Sequence, residues 1–197
     1  MPIIDWNQEI TFNHPDVYGN SGGYNRQNKD YLIDVCSHKS LINLFPYQQN
    51  ETILLVGAGF GWIAETFIER GFNKICAVDT SLWIQQNKHI HSIIDIHNLD
   101  VTNLSDQQSI KQILQLQQNE KIDWCITEDF FTGITDQECL TISSCLRDMG
   151  KNVIHYITPP PVRDLAYLKN RNWKTGAEWK TLLSPDKILM VNSNTVL

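Results

Sequence analysis

An apolar run, Ile53-Leu54-Leu55-Val56, breaks into three alternating glycines in Gly57-Ala58-Gly59-Phe60-Gly61, and a second apolar run, Ile75-Cys76-Ala77-Val78, ends on Asp79. A short, fully apolar run bounded by glycine reads as a strand buried on both faces. The pattern from Trp62 to Arg70, closed by Gly71, predicts a helix between the two strands. Strand, glycine turn, helix, strand and acidic residue in that order favour a parallel α/β sheet with a ligand-binding turn. Glycine enters backbone angles that other residues reach only at a cost, and it lets a ligand approach the main chain where a Cβ would intrude. Asp79 stands eighteen residues after Gly61, at a strand end where a carboxylate can accept both hydroxyls of a ribose. Together these features predict an adenosine-containing ligand over the start of the helix near Trp62.

The glycine spacing narrows the ligand. A dinucleotide turn wants Gly-x-Gly-x-x-Gly, whereas here the third glycine is Gly61 and the bulky Trp62 follows it, which disfavours a pyrophosphate. No Lys-Ser or Lys-Thr pair follows the glycines, which excludes a triphosphatase phosphate loop. Gly57-x-Gly59-x-Gly61 with Asp79 instead resembles motifs I and II of the class I methyltransferases that use S-adenosylmethionine. The resemblance implies a Rossmann-like, doubly wound sheet with S-adenosylmethionine as cofactor across the carboxyl ends of its first strands. In that light Gly57, Ala58, Gly59 and Gly61 lie beside the methionine part and Asp79 beside the ribose. Asp100, in Leu99-Asp100-Val101-Thr102, matches the acidic residue that faces the adenine amino group, although a turn or cap role with Thr102 or Ser105 is the competing expectation. Glu128 and Asp129 occupy the motif IV position, where methyl and acceptor meet. The helix before the first strand shields the cofactor in this family, which makes Tyr18, Tyr24 and Asn25 contact candidates.

Two departures stand beside these matches. Many family members carry an acidic residue two positions before the first glycine, and this chain has Leu55 there. After the fourth strand comes Glu128-Asp129-Phe130-Phe131, not the Asn-Pro-Pro-Tyr or Asp-Pro-Pro-Tyr of members that methylate base amino groups.

The remaining chain alternates between strand and helix patterns. Leu82 to His91 and Gln107 to Gln118 read as helices, Asn98 to Val101 as a weak third strand, and Ile122 to Thr127 as a fourth. A helix over Asp136 to Asp148, stopped by Gly150, leads to a fifth strand over Asn152 to Ile157. Such an order predicts a mostly parallel, doubly wound sheet with helices on both faces. Beyond it, Pro159 to Pro161 form a stiff loop on the ligand side, Val162 to Tyr167 and Glu178 to Leu183 read as short helices, and Lys187 to Val191 as a last strand, so the carboxyl-terminal edge is expected to be abbreviated. Lys29 to Leu44 reads as a helix that covers the sheet before the first strand, and the glycine-rich Gly19 to Asn25 reads either as a lid over the cofactor or as a surface loop, so residues 1–50 are expected to cover the sheet and, in the first case, the cofactor.

At 197 residues and 42% hydrophobic, the chain suits one domain over residues 1–197. A formal charge of −6 supplies no general positive field for phosphates, so nucleic acid is a disfavoured partner and a small molecule or protein side chain the expected acceptor. The five cysteines show no paired short spacing, which suggests buried thiols in a reducing, cytoplasmic setting. Neither a signal-like start nor a stretch long enough to cross a bilayer is evident.

Methyl transfer from a sulfonium needs an acceptor lone pair in line with the carbon–sulfur bond and, for some acceptors, removal of a proton. Asp129, with Glu128, is the candidate for that work. His155, in Val153-Ile154-His155-Tyr156, is a further candidate, with a structural role as its alternative. His89, His91 and His97 form no metal-ligand spacing, and no metal is expected. Two other readings remain open: a nicotinamide-dependent oxidoreductase, against which Trp62 and the lack of a Tyr-x-x-x-Lys pair count, and a cofactor-binding protein without turnover.

Overall fold

The computed structural model describes residues 41–43, 46–128, 130–157, 172 and 174–184. Tyr18, Tyr24, Asn25, Asp129, the loop of Pro159 to Pro161 and the segments expected over 162–167 and 187–191 lie outside them.

Strands β1 (Ile53–Val56) and β2 (Ile75–Val78) fall where the apolar runs put them, joined by helix α1 (Trp62–Glu69). Helix α2 (Leu82–His91), strand β3 (Ile96–His97) and helix α3 (Leu104–Ile113) follow, then β4 (Ile122–Glu128), a 3-10 turn (Phe130–Gly133), helix α4 (Asp136–Met149), β5 (Gly150–Tyr156) and helix α5 (Gly176–Leu183). All neighbouring strands pair in parallel, in the order β3-β2-β1-β4-β5. The chain therefore winds outward from β1 to β3, returns to the other side of β1, and winds outward again. Ligands in such sheets bind where the order reverses, here between the carboxyl ends of β1 and β4.

Both faces of the sheet are covered, which is why its central strands are apolar without alternation. Leu55, Ala77 and Ile126 pack with Trp62, Ile63 and Phe67 of α1 and with Trp83 and Ile84 of α2 on one side. Leu54, Val56, Cys76, Val78 and Cys125 meet Ile110 of α3, Leu114 just beyond it, and Leu146 and Met149 of α4 on the other. Burial pushes the free thiols of Cys76, Cys125 and Cys139 up to about 12, while Cys145 is free and half-buried.

The third strand departs from expectation. Pairing with β2 covers Ile96 and His97, and the segment expected to be extended, Asn98 to Val101, leads into a turn instead. The Asp100 carboxylate accepts the Thr102 N–H and hydroxyl, each at 2.8 Å, while the Asp100 N–H donates to Asp106 at 2.9 Å. Short polar side chains thus offer the backbone bonds that compete with a ladder. Asn103 then caps α3 by accepting the Ser105 and Asp106 N–H groups, so the helix begins earlier than predicted. It also ends earlier, because Gln115 is left-handed with φ 58°. Among the described residues no helix is long and apolar enough to cross a membrane.

Candidate active site

The turn after β1 is built by backbone bonds. Ala58 N–H donates to Val78 C=O at 3.1 Å, prolonging the β1–β2 contact by one step, and Gly61 N–H donates to Ala58 C=O at 2.8 Å, closing the turn. Gly57, Gly59 and Gly61 have φ of 67°, 55° and 73°, the left-handed region that favours glycine. Two of them also face close neighbours. A Cβ on Gly57 would stand 2.6 Å from the ring of Phe130, and one on Gly61 would stand 2.5 Å from Ile96 Cδ1 and 2.6 Å from Ile94 Cδ1. Trp62, which follows, is buried, and its indole N–H donates to His91 C=O at 3.0 Å.

Asp79 ends β2 beside this turn. Its Oδ2 accepts the Gly59 N–H and its Oδ1 the Ser81 N–H, both at 2.8 Å. Burial pushes its pKa up to about 6, against the lowering effect of those two bonds. The cap of α2 is Ser81, whose hydroxyl accepts the Ile84 N–H at 3.3 Å, and not Asp79.

Glu128 is the last residue of β4, opposite Tyr156 and one step past the Val56–Thr127 pair, which sets it at the level of Gly57. Phe130, next but one, brings its ring to Gly57. The glycine turn, Asp79, Glu128 and Phe130 therefore share the carboxyl edge around β1. Asp100 lies beyond β3, exposed, with one carboxylate oxygen engaged by Thr102.

His155 is in β5 opposite Thr127, on the side covered by α4. Nδ1 lies 2.9 Å from Thr127 Oγ1, Nε2 lies 3.0 Å from Ser143 Oγ, and Phe131 stacks on the ring at 4.4 Å between centroids. Burial, and then the charge of Arg147, lower its pKa to about 4. Both nitrogens are thus engaged by hydroxyls of the protein itself. Leu55, at the position where the resembling family carries an acid, is buried in the core cluster on the α1 side. Among the described residues no three His, Cys, Asp or Glu side chains are grouped so as to hold a metal ion.

Phe130 is the contact residue that motif spacing did not single out. Its signal is topological: once β4 is placed beside β1, Phe130, two residues past the end of β4, lies over the glycine turn.

Strand order, direction and the glycine turn at the reversal are those of the class I S-adenosylmethionine-dependent methyltransferase fold, and the chain has that fold. Two solved structures of magnesium protoporphyrin IX methyltransferase from Synechocystis PCC 6803 are similar to it. The one with bound SAM superposes with a TM-score of 0.54 over 91% of this chain and 80% of that one, at 15% identity. The one with bound SAH gives 0.55 over 88% and 84%, at 16% identity. At such identities the likeness is one of fold. No family model and no curated protein matches the sequence.

Proposed function

We propose that the chain binds S-adenosylmethionine at the turn between β1 and α1 and transfers its methyl group to a small-molecule or protein acceptor. The observation that carries this reading is Asp79, a half-buried carboxylate held beside the glycine turn by one backbone N–H on each oxygen. An ionised carboxylate accepts at about four lone-pair positions, so capacity remains for the two hydroxyls of a ribose. In this arrangement Gly57, Ala58, Gly59 and Gly61 flank the methionine part, and Asp100 is the candidate for the adenine edge. When bound, the cofactor supplies an electrophilic methyl group on a sulfonium sulfur. The chain's own contribution is to hold the acceptor in line with it and, where the acceptor needs it, to take a proton. Glu128 and Asp129 are assigned to that side. His155 is assigned to positioning, since each of its ring nitrogens already has a hydroxyl partner.

A second reading, a cofactor-binding protein without turnover, draws on Leu55, because the family's acidic anchor for the methionine part has no counterpart there. Calorimetric titration of the purified protein with S-adenosylmethionine, S-adenosylhomocysteine and both nicotinamide dinucleotides tests the set. Saturable binding of the sulfur ligands alone supports the leading reading and justifies an acceptor screen. Binding of dinucleotide alone replaces it with an oxidoreductase.

A further inference from the structure

The turn that follows β4 is held from an unexpected side. Thr127 of β4 and Ser143 of α4 are both buried hydroxyls, and His155 lies between them, bonded to each. Its neutral ring has one donor and one acceptor nitrogen, and a hydroxyl can serve as either, so the pair is satisfied in both tautomers. The flat face left over carries Phe131, with the planes 30° apart. Phe131 is buried and belongs to the 3-10 turn, whose first residue, Phe130, lies 6.1 Å away between ring centroids and against Gly57. A continuous set of contacts therefore runs from β4 and α4 through His155, Phe131 and Phe130 to the glycine turn.

We propose that His155 is a positioning residue: fastened at both nitrogens, it fixes Phe131 and thereby sets how Phe130 leans on the turn at Gly57, making Phe130 a wall of the cofactor seat. Histidine suits this place because it combines a donor, an acceptor and a flat ring. Glutamine would keep the polar atoms without the ring, and phenylalanine would keep a ring while leaving two buried hydroxyls without their partner, a costly arrangement. The role given to Phe130 rests on the proposed cofactor site, whereas the coupling from His155 to Phe130 does not.

The test separates the two. Protein labelled with 4-fluorophenylalanine gives fluorine signals for Phe130 and Phe131, assigned with Phe130→Leu and Phe131→Leu. His155→Gln is expected to displace both signals, and displacement of Phe131 alone overturns the proposal. Should His155→Gln fail to fold, Ser143→Ala, which removes one hydrogen bond and leaves the stack, is expected to move the Phe130 signal, and an unmoved signal is equally decisive against it. In titrations with S-adenosylhomocysteine, His155→Gln and Phe130→Leu are each expected to weaken binding about five-fold, and the double variant no more than the weaker-binding single, since groups acting through one contact are not additive. Losses that multiply overturn the proposal. A wild-type protein that does not bind S-adenosylhomocysteine removes the cofactor reading and leaves the fluorine spectra to decide the coupling.

Discussion

Asp79 reaches back from the end of β2 to accept the Gly59 N–H at 2.8 Å, so the second strand holds the turn that ends the first. One side chain thus shapes the backbone of the turn and presents its remaining acceptor capacity beside it. A binding defect and a structural defect are therefore expected to appear together when it is removed.

Asp79→Ala is expected to weaken binding of S-adenosylhomocysteine by about 1.5–3 kcal/mol, the range for charge-assisted hydrogen bonds in a desolvated site. Asp79→Asn keeps one accepting oxygen and should lose less. Calorimetry on both variants checks this, and unchanged affinity in the alanine variant would remove Asp79 from the ribose.

Acid titration separates Asp79 from His155, because their shifts act in opposite directions. The Asp79 pKa rises on folding from 3.8 to about 6, through burial, so its contribution to stability is present below pH 3.8 and lost as pH rises through about 6. The His155 pKa falls from 6.5 to about 4, through burial and then Arg147, so its contribution is present above pH 6.5 and lost as pH falls through about 4. The two windows overlap and largely offset one another in the wild-type protein. Urea unfolding between pH 4 and 6.5 is expected to show stability rising more steeply with pH in Asp79→Asn than in wild type, and less steeply in His155→Gln. Affinity for S-adenosylhomocysteine should fall as pH drops below about 6 in wild type and lose that dependence in Asp79→Asn, since ribose hydroxyls bond best to the ionised carboxylate.

Asp129 follows Glu128 in the sequence and is assigned with it to the acceptor in the proposed reaction. Asp129→Asn keeps the size and removes the charge. With an acceptor in hand, turnover is expected to fall by about 10²–10⁴-fold if Asp129 takes a proton, with affinity for S-adenosylhomocysteine unchanged. Equal loss in both quantities would place Asp129 with the cofactor instead.

How far the sequence spoke depended on how local each cause was. β1, α1, β2 and α2 were legible because a doubly covered parallel strand is continuously apolar and its limits are punctuated by Gly57, Gly71 and Asp79. β3 was misplaced because Asn98 to Val101 carries the mixed composition of a weak strand, while the deciding interaction is a carboxylate, Asp100, folding back on Thr102. In the candidate site, Gly59 and Asp79 were legible as a motif, yet their direct bond was not, since it depends on how β2 sits beside β1. The engagement of His155 was hidden for the same reason: Thr127 and Ser143 come from two other elements, separated from it by 28 and 12 residues.

Gly61 offers the sharpest test of why the third glycine is there. Its φ of 73° is one reason, and the approach of Ile94 and Ile96 to within 2.6 Å of where a Cβ would stand is another. The left-handed backbone costs a non-glycine residue about 1–2 kcal/mol. Forcing a methyl group into a packed contact adds about 1–3 kcal/mol. Gly61→Ala is therefore expected to destabilise the wild-type protein by about 2–5 kcal/mol in urea unfolding. Ile94→Val and Ile96→Val together delete the two Cδ1 atoms that crowd the site, at their own cost of about 0.5–1.5 kcal/mol each. In that double-valine background, Gly61→Ala should cost less, the backbone share plus a remainder from the retained Cγ of residue 94, 3.1 Å from where the Cβ would stand. Were its cost the same in both backgrounds, the isoleucines would not be what excludes a side chain, and the third glycine would owe its place to the backbone angle alone.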